Sequence, residues 1–171
     1  MSGTRDGVLE VVDRGSTLRF GLADLDRYHG PLAPGGVAHG FVAMLRAWPL
    51  LAPDGPPQRR EIRVDTAFAG PGARDAFELV TRAVTEERYT VDPALARTDR
   101  GATLERYVFV FTHGDRSVRL EIREGFVTDE FVELAQRSGR TPDEEAHLDT
   151  LKREMADRLL AVPPEQVYDV V

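Results

Sequence analysis

The sequence predicts an α+β fold: a single domain with a mainly antiparallel sheet packed by several helices. Three observations lead there. Residues 61–68 and 118–123 alternate apolar and polar side chains, the pattern of strands with one face on a core. The stretches after Val37 and after Thr141 carry apolar residues at helical spacing. Strands and helices follow one another without strict βαβ alternation, which disfavours a parallel α/β sheet.

Taken in order, Val8–Val12 and Thr17–Phe20 read as short strands joined by a turn at Asp13-Arg14-Gly15-Ser16. Asp24–Tyr28 reads as a short helical turn entering the Gly/Pro-rich run 28–40. From Val37 the pattern turns helical, with Phe41, Met44, Leu45 and Trp48 on one face, and Pro49 is expected to end or disturb that helix. In 61–68, Ile62, Val64, Thr66 and Phe68 point one way. The turn Ala69-Gly70-Pro71-Gly72 leads into a helix whose apolar side carries Ala76, Leu79, Val80 and Ala83. Residues 86–101 are polar and read as a surface loop. Leu104–Thr112 and Val118–Arg123 read as a hairpin around His113-Gly114-Asp115-Arg116.

Two helices close the chain. Thr128 caps the first and Gly139 follows its end. Thr141, Pro142 and Glu144 open the second with a capping box, and Leu148, Leu151, Met155 and Leu159 form its stripe up to Pro163-Pro164.

With 171 residues, 42% of them hydrophobic and 30% charged, the chain has the size and composition of one globular domain. Its net charge of −7 opposes phosphate backbones and anionic lipid, so neither nucleic acid nor a membrane surface is expected as a partner. The absence of cysteine excludes disulfides, thiolate nucleophiles and thiolate metal sites. No apolar signal core opens the sequence and no apolar run reaches about 18 residues, so a cytoplasmic protein is expected. Lys152 is the only lysine, which reads as compositional bias.

Chemistry-bearing residues concentrate in Tyr28-His29-Gly30-Pro31-Leu32-Ala33-Pro34-Gly35-Gly36-Val37-Ala38-His39-Gly40. A Gly/Pro-rich loop can bring His29 and His39 together, and neutral imidazoles bind zinc or iron or transfer protons near neutral pH. A hydrogen-bonded corner is the alternative reading. Gly70-Pro71-Gly72 is a second candidate, since free amides at a helix start bind phosphate or carboxylate and Arg74 could assist. Asp75, expected in the first turn, opposes an anion there, so a plain turn is preferred. Asp65 is a candidate ligand or base. His113 and His147 are expected to face solvent or make ordinary hydrogen bonds, aromatic packing is the default for Tyr107, and no serine lies in a nucleophile elbow.

Tyr28-His29-Gly30 followed by Pro34-Gly35 resembles the formylmethanofuran dehydrogenase E-subunit-like family, whose members carry aromatic-His-Gly-His-x-Cys-Pro-Gly before a helix. Weaker similarity runs through Asp75-Ala76, the hairpin near Arg119 and Leu159-Leu160 to Val170, so the resemblance implies one such domain over residues 1–171. Pro31 stands at the second histidine and Ala33 at the cysteine.

The resemblance implies metal binding at this motif and a divergent, cysteine-free member acting on a small polar organic molecule. The expected roles are His29 and Tyr28 in catalysis, and His29, His39 and Asp75 around a divalent zinc or iron. His39, Gly35 and Gly36 would contact a cofactor, and Asp75 could instead orient an imidazole. A haem bound through one histidine ranks below the divalent metal. The alternative function is a non-catalytic accessory protein binding a small ligand or haem. A homodimer is expected from the resemblance and from a strand edge open to pairing.

Overall fold

The computed structural model describes residues 3–171. Strands β1 (Val8–Asp13) and β2 (Ser16–Gly21) form the expected hairpin, with Asp13 opposite Ser16. Its two turn residues, Arg14 and Gly15, have φ of 51° and 85°, the left-handed pair that matches the twist of a tight hairpin. Leu9 and Val11 bury their side chains in the core. Asp13 accepts from Arg59 and Arg60 at 3.0 and 2.9 Å, which ties the hairpin to the chain before the next strand.

A second sheet holds the remaining strands: β3 (Ile62–Thr66), β4 (Tyr89–Val91), β5 (Val108–His113), β6 (Arg116–Ile122) and β7 (Tyr168–Val170). Their order is β4-β3-β5-β6-β7. All pairs are antiparallel except β3 with β4, which run parallel. The sheet is therefore mainly antiparallel, as the α+β reading requires. Ile62, Val64 and Thr66 are buried and Arg63 is exposed, following the expected alternation. Phe109 and Phe111 of β5 point toward the helices, where Phe77 meets both edge to face at 5.7 and 5.6 Å.

The helices are α1 (Leu22–His29), α2 (Pro34–Leu51), α3 (Pro71–Thr81), α4 (Asp129–Gln136) and α5 (Pro142–Leu160). Thr128 accepts from the Phe131 amide and Thr141 from the Glu144 amide, so both closing helices start at the caps the sequence predicts. Helix α2 is the core helix: Arg46 is its only charged residue and thirteen of its residues are buried, as expected for a helix apolar on every side. It touches α3, α5 and strands β5 and β6. It runs two residues past Pro49. The ring costs one amide bond in the last turn and does not stop the helix.

Helix α2 also starts earlier than the periodicity suggests, at Pro34, so Gly35 and Gly36 are helical. The reason lies in α3. A Cβ on Gly72 would come within 2.5 Å of the Ala33 carbonyl oxygen and 2.6 Å of the Val37 nitrogen, and one on Gly36 would meet the Gly72 Cα at 3.1 Å. The first turns of α2 and α3 thus touch backbone to backbone. That contact outweighs the low helix propensity of two adjacent glycines.

The polar stretch 86–101 is less open than expected. It contributes β4, and Arg97 then donates to both carboxylate oxygens of the buried Glu121 at 2.9 Å. This bond holds the connection between β4 and β5 against the outer face of the sheet. No helix among the described residues is long and apolar enough to cross a membrane.

Candidate functional site

The 28–40 segment divides into two environments. His29 ends α1 with its side chain 3% exposed. The Ala33 amide donates to its Nε2 at 3.1 Å. With that lone pair occupied, the ring proton is on Nδ1 and is donated to Asp75 Oδ2 at 2.8 Å. Asp75 in turn lies 3.6 Å from Arg74. One imidazole therefore links the end of α1, the start of α2 and the second turn of α3. Tyr28 beside it is 51% exposed.

His39 is fully buried inside α2. Its Nδ1 is 2.6 Å from the Tyr168 hydroxyl, and its Nε2 has no hydrogen-bond partner among the described residues. The ring lies tilted against Tyr107, with centroids 4.7 Å apart, and 5.8 Å from Phe68. Burial pushes its pKa down to about 3, so it is neutral at ordinary pH. Burial raises the phenol of Tyr168 well above its usual range, so that group stays protonated.

The structure thus brings His29 and Asp75 together and places His39 apart from them, against aromatic rings. Among the described residues, no three His, Cys, Asp or Glu side chains are grouped closely enough to hold a metal ion. A metal ligated by His29 through Nε2 would have to displace the Ala33 amide. Gly35 and Gly36 open α2 in close packing: a Cβ on Gly35 would meet the Met155 Cε at 2.5 Å, and one on Gly36 the Gly72 Cα at 3.1 Å. Asp65 is engaged by Arg63 through both oxygens, at 2.9 and 3.0 Å. His113 accepts from the Gln58 amide and His147 contacts Glu130, ordinary hydrogen bonds as expected.

The space with room for a ligand lies next to this segment. A cavity of about 370 Å³ opens between the starts of α2 and α3, helices α4 and α5, and the chain entering β5. Its floor is aromatic: Phe68 and Tyr107 stack at 4.7 Å, and Tyr107 is 5% exposed. Phe131 and Met155 line it from α4 and α5. Gly70 makes the floor possible, because a Cβ there would overlap the Phe68 ring. Arg106, Gln136 and Lys152 supply the long polar side chains.

Sequence reasoning finds Gly70 and Gly72 but not their partners. Tyr107 reads as packing, and Lys152 as composition. The available signal is the repetition of Pro-Gly at two helix starts, Pro34-Gly35 and Pro71-Gly72, a sign that two helices open without side-chain caps. Neither the protein-family models nor the curated proteins contain a match to this chain.

Proposed function

We propose that this protein binds a small, largely apolar molecule in the cavity floored by Phe68 and Tyr107. The observation that carries the reading is the lining. Aromatic and aliphatic side chains form most of a concave space next to a few polar groups, as in sites that enclose small ligands. A volume of about 370 Å³ is equivalent to roughly a dozen waters at ~30 Å³ each, so releasing them to a ligand of similar size favours binding. The reading is of a binding protein, because the two histidines of the neighbouring segment are held in hydrogen bonds and packing within the fold.

The test is a titration with N-phenyl-1-naphthylamine, a neutral aromatic that fluoresces in apolar surroundings. Saturable binding near one site per chain is expected, with a dissociation constant on the order of 10 μM. Ala135 is exposed on α4 and lines the cavity, so Ala135→Trp fills the space without entering the core and should abolish the signal. Absence of saturable binding, or binding that survives Ala135→Trp, rejects the reading.

A further inference from the structure

Resting on that reading, we infer that the ligand is an acyl or aryl carboxylate: an apolar body ending in one anionic group held by Arg106, Lys152 and the Tyr107 hydroxyl.

Charge is the first observation. The chain carries 29 acidic residues against 22 Lys and Arg, yet no Asp or Glu lines the cavity, while Arg106 and Lys152 do. The nearest carboxylates are at the outer edge of ion-pair range: Glu105 is 4.0 Å from Arg106 and Asp149 is 3.8 Å from Lys152. Lys152 also donates to the Leu32 carbonyl at 3.1 Å, which leaves two of its three N–H groups for other acceptors. A locally positive cleft in a negative molecule concentrates anions and disfavours cations.

The two helix starts add to the same sign. Residues Ala33 and Gly36 of the α2 start, and Gly70, Pro71 and Gly72 of the α3 start, line the cavity. Neither helix has a side-chain cap, so their opening amides and positive dipole ends lack an internal counter-charge. Asp75, the carboxylate that the sequence places against an anion here, is bonded to His29 and is not part of the lining.

Tyr107 is the independent observation. Only 5% of it is exposed, and it lines the cavity. Its hydroxyl makes no side-chain hydrogen bond among the described residues, and it is not one of the fully enclosed polar atoms. A hydroxyl at a cavity wall that is still reachable can donate to what enters the space beside it. Burial raises its ionisation above the ordinary phenol range, so it remains an O–H donor suited to a carboxylate oxygen. The apolar floor and walls then take the rest of the molecule.

The test compares decanoate with decan-1-ol, chains of matched length with and without the charge, as displacers of N-phenyl-1-naphthylamine from the full protein. In low salt near pH 8, decanoate should displace at about a tenfold lower concentration than the alcohol, the size expected for partly exposed ion pairs. That ratio should fall toward one in about 0.5 M NaCl and in the Arg106→Gln/Lys152→Gln variant, and Tyr107→Phe should reduce it about threefold. Equal displacement by acid and alcohol, or a ratio untouched by the double substitution, overturns the carboxylate while leaving the cavity reading intact. If the fluorescent probe does not bind at all, the cavity reading falls and this inference with it.

Discussion

His29 and His39 stand ten positions apart and solve opposite problems. His29, at the junction of α1, α2 and α3, has a protein partner on each ring nitrogen. His39, in the second turn of α2, has one partner and one bare nitrogen, packed among aromatic rings. The first is a joint whose hydrogen bonds fix three helix ends. The second is a polar group enclosed in an aromatic layer beneath the cavity, where desolvation sets its state. The same residue type is thus a fastener in one place and a constrained core element in the other. What differs is the number of satisfied nitrogens, which only the folded chain determines.

The largest expected effect comes from breaking the contact that holds these two regions side by side. Gly72→Ala places a methyl against the Ala33 and Val37 backbone, which cannot move aside as a side chain could. It should cost about 3 kcal/mol, the upper end for overpacking, read as a lower urea midpoint with an unchanged slope. A cost under about 1 kcal/mol would show that the two helix starts are not locked.

The fastener is tested next. His29→Ala removes the hydrogen-bond partner of Asp75 Oδ2 and of the Ala33 amide and should cost about 2 kcal/mol. In a double-mutant cycle with Asp75→Ala the two losses should overlap by roughly 1 kcal/mol or more. Strict additivity of the two would mean that the pair contributes nothing as a pair.

The enclosed histidine is sharpened by pH. Its pKa is about 3 in the fold and about 6.5 in an unfolded chain. Between those values the unfolded state binds the extra proton. The contribution is therefore complete above about pH 6.5 and is lost progressively as pH falls toward 3. From pH 7 to pH 5 the protein should lose about 2 kcal/mol through this group. His39→Gln, which keeps a partner for Tyr168 but does not titrate, should lose correspondingly less over the same interval in paired urea titrations. Parallel pH curves would place His39 in contact with water.

The smallest stability effect should accompany a large binding effect. Gly70→Ala displaces the Phe68 ring, which is only half-buried, so the stability loss should stay near ~1 kcal/mol. Affinity for N-phenyl-1-naphthylamine should drop at least tenfold, because the floor is no longer flat. Retained affinity would show that Phe68 is not part of the site.

Much of the fold was legible because its signals are local. The hairpin turn at Arg14-Gly15, the Thr141-Pro142 helix start and the alternation in β3 and β6 each depend on neighbours within a few residues. Strands β4 and β7 were not legible: at three residues each, only the adjacent β3 and β6 make them strands. The early start of α2 was hidden for a related reason, since two glycines read as a loop until α3 supplies the surface against which only glycine fits. The site was partly legible. Its Gly70-Pro71-Gly72 rim and the 28–40 segment stood out as motifs. The cavity itself draws on residues near 33, 70, 106, 131 and 152, and no pattern within any one stretch announces that convergence.

Lys152 gives this arrangement a practical handle. It carries the only side-chain amine in the chain, it lines the cavity, and its ammonium also reaches the Leu32 carbonyl at the turn before α2. An acylating reagent therefore labels one side chain, whose position reports on the cavity alone. The rate at which the peptide carrying Lys152 gains the acyl group, read apart from labelling of the chain's α-amine, becomes an occupancy gauge for any compound that enters, with no dye.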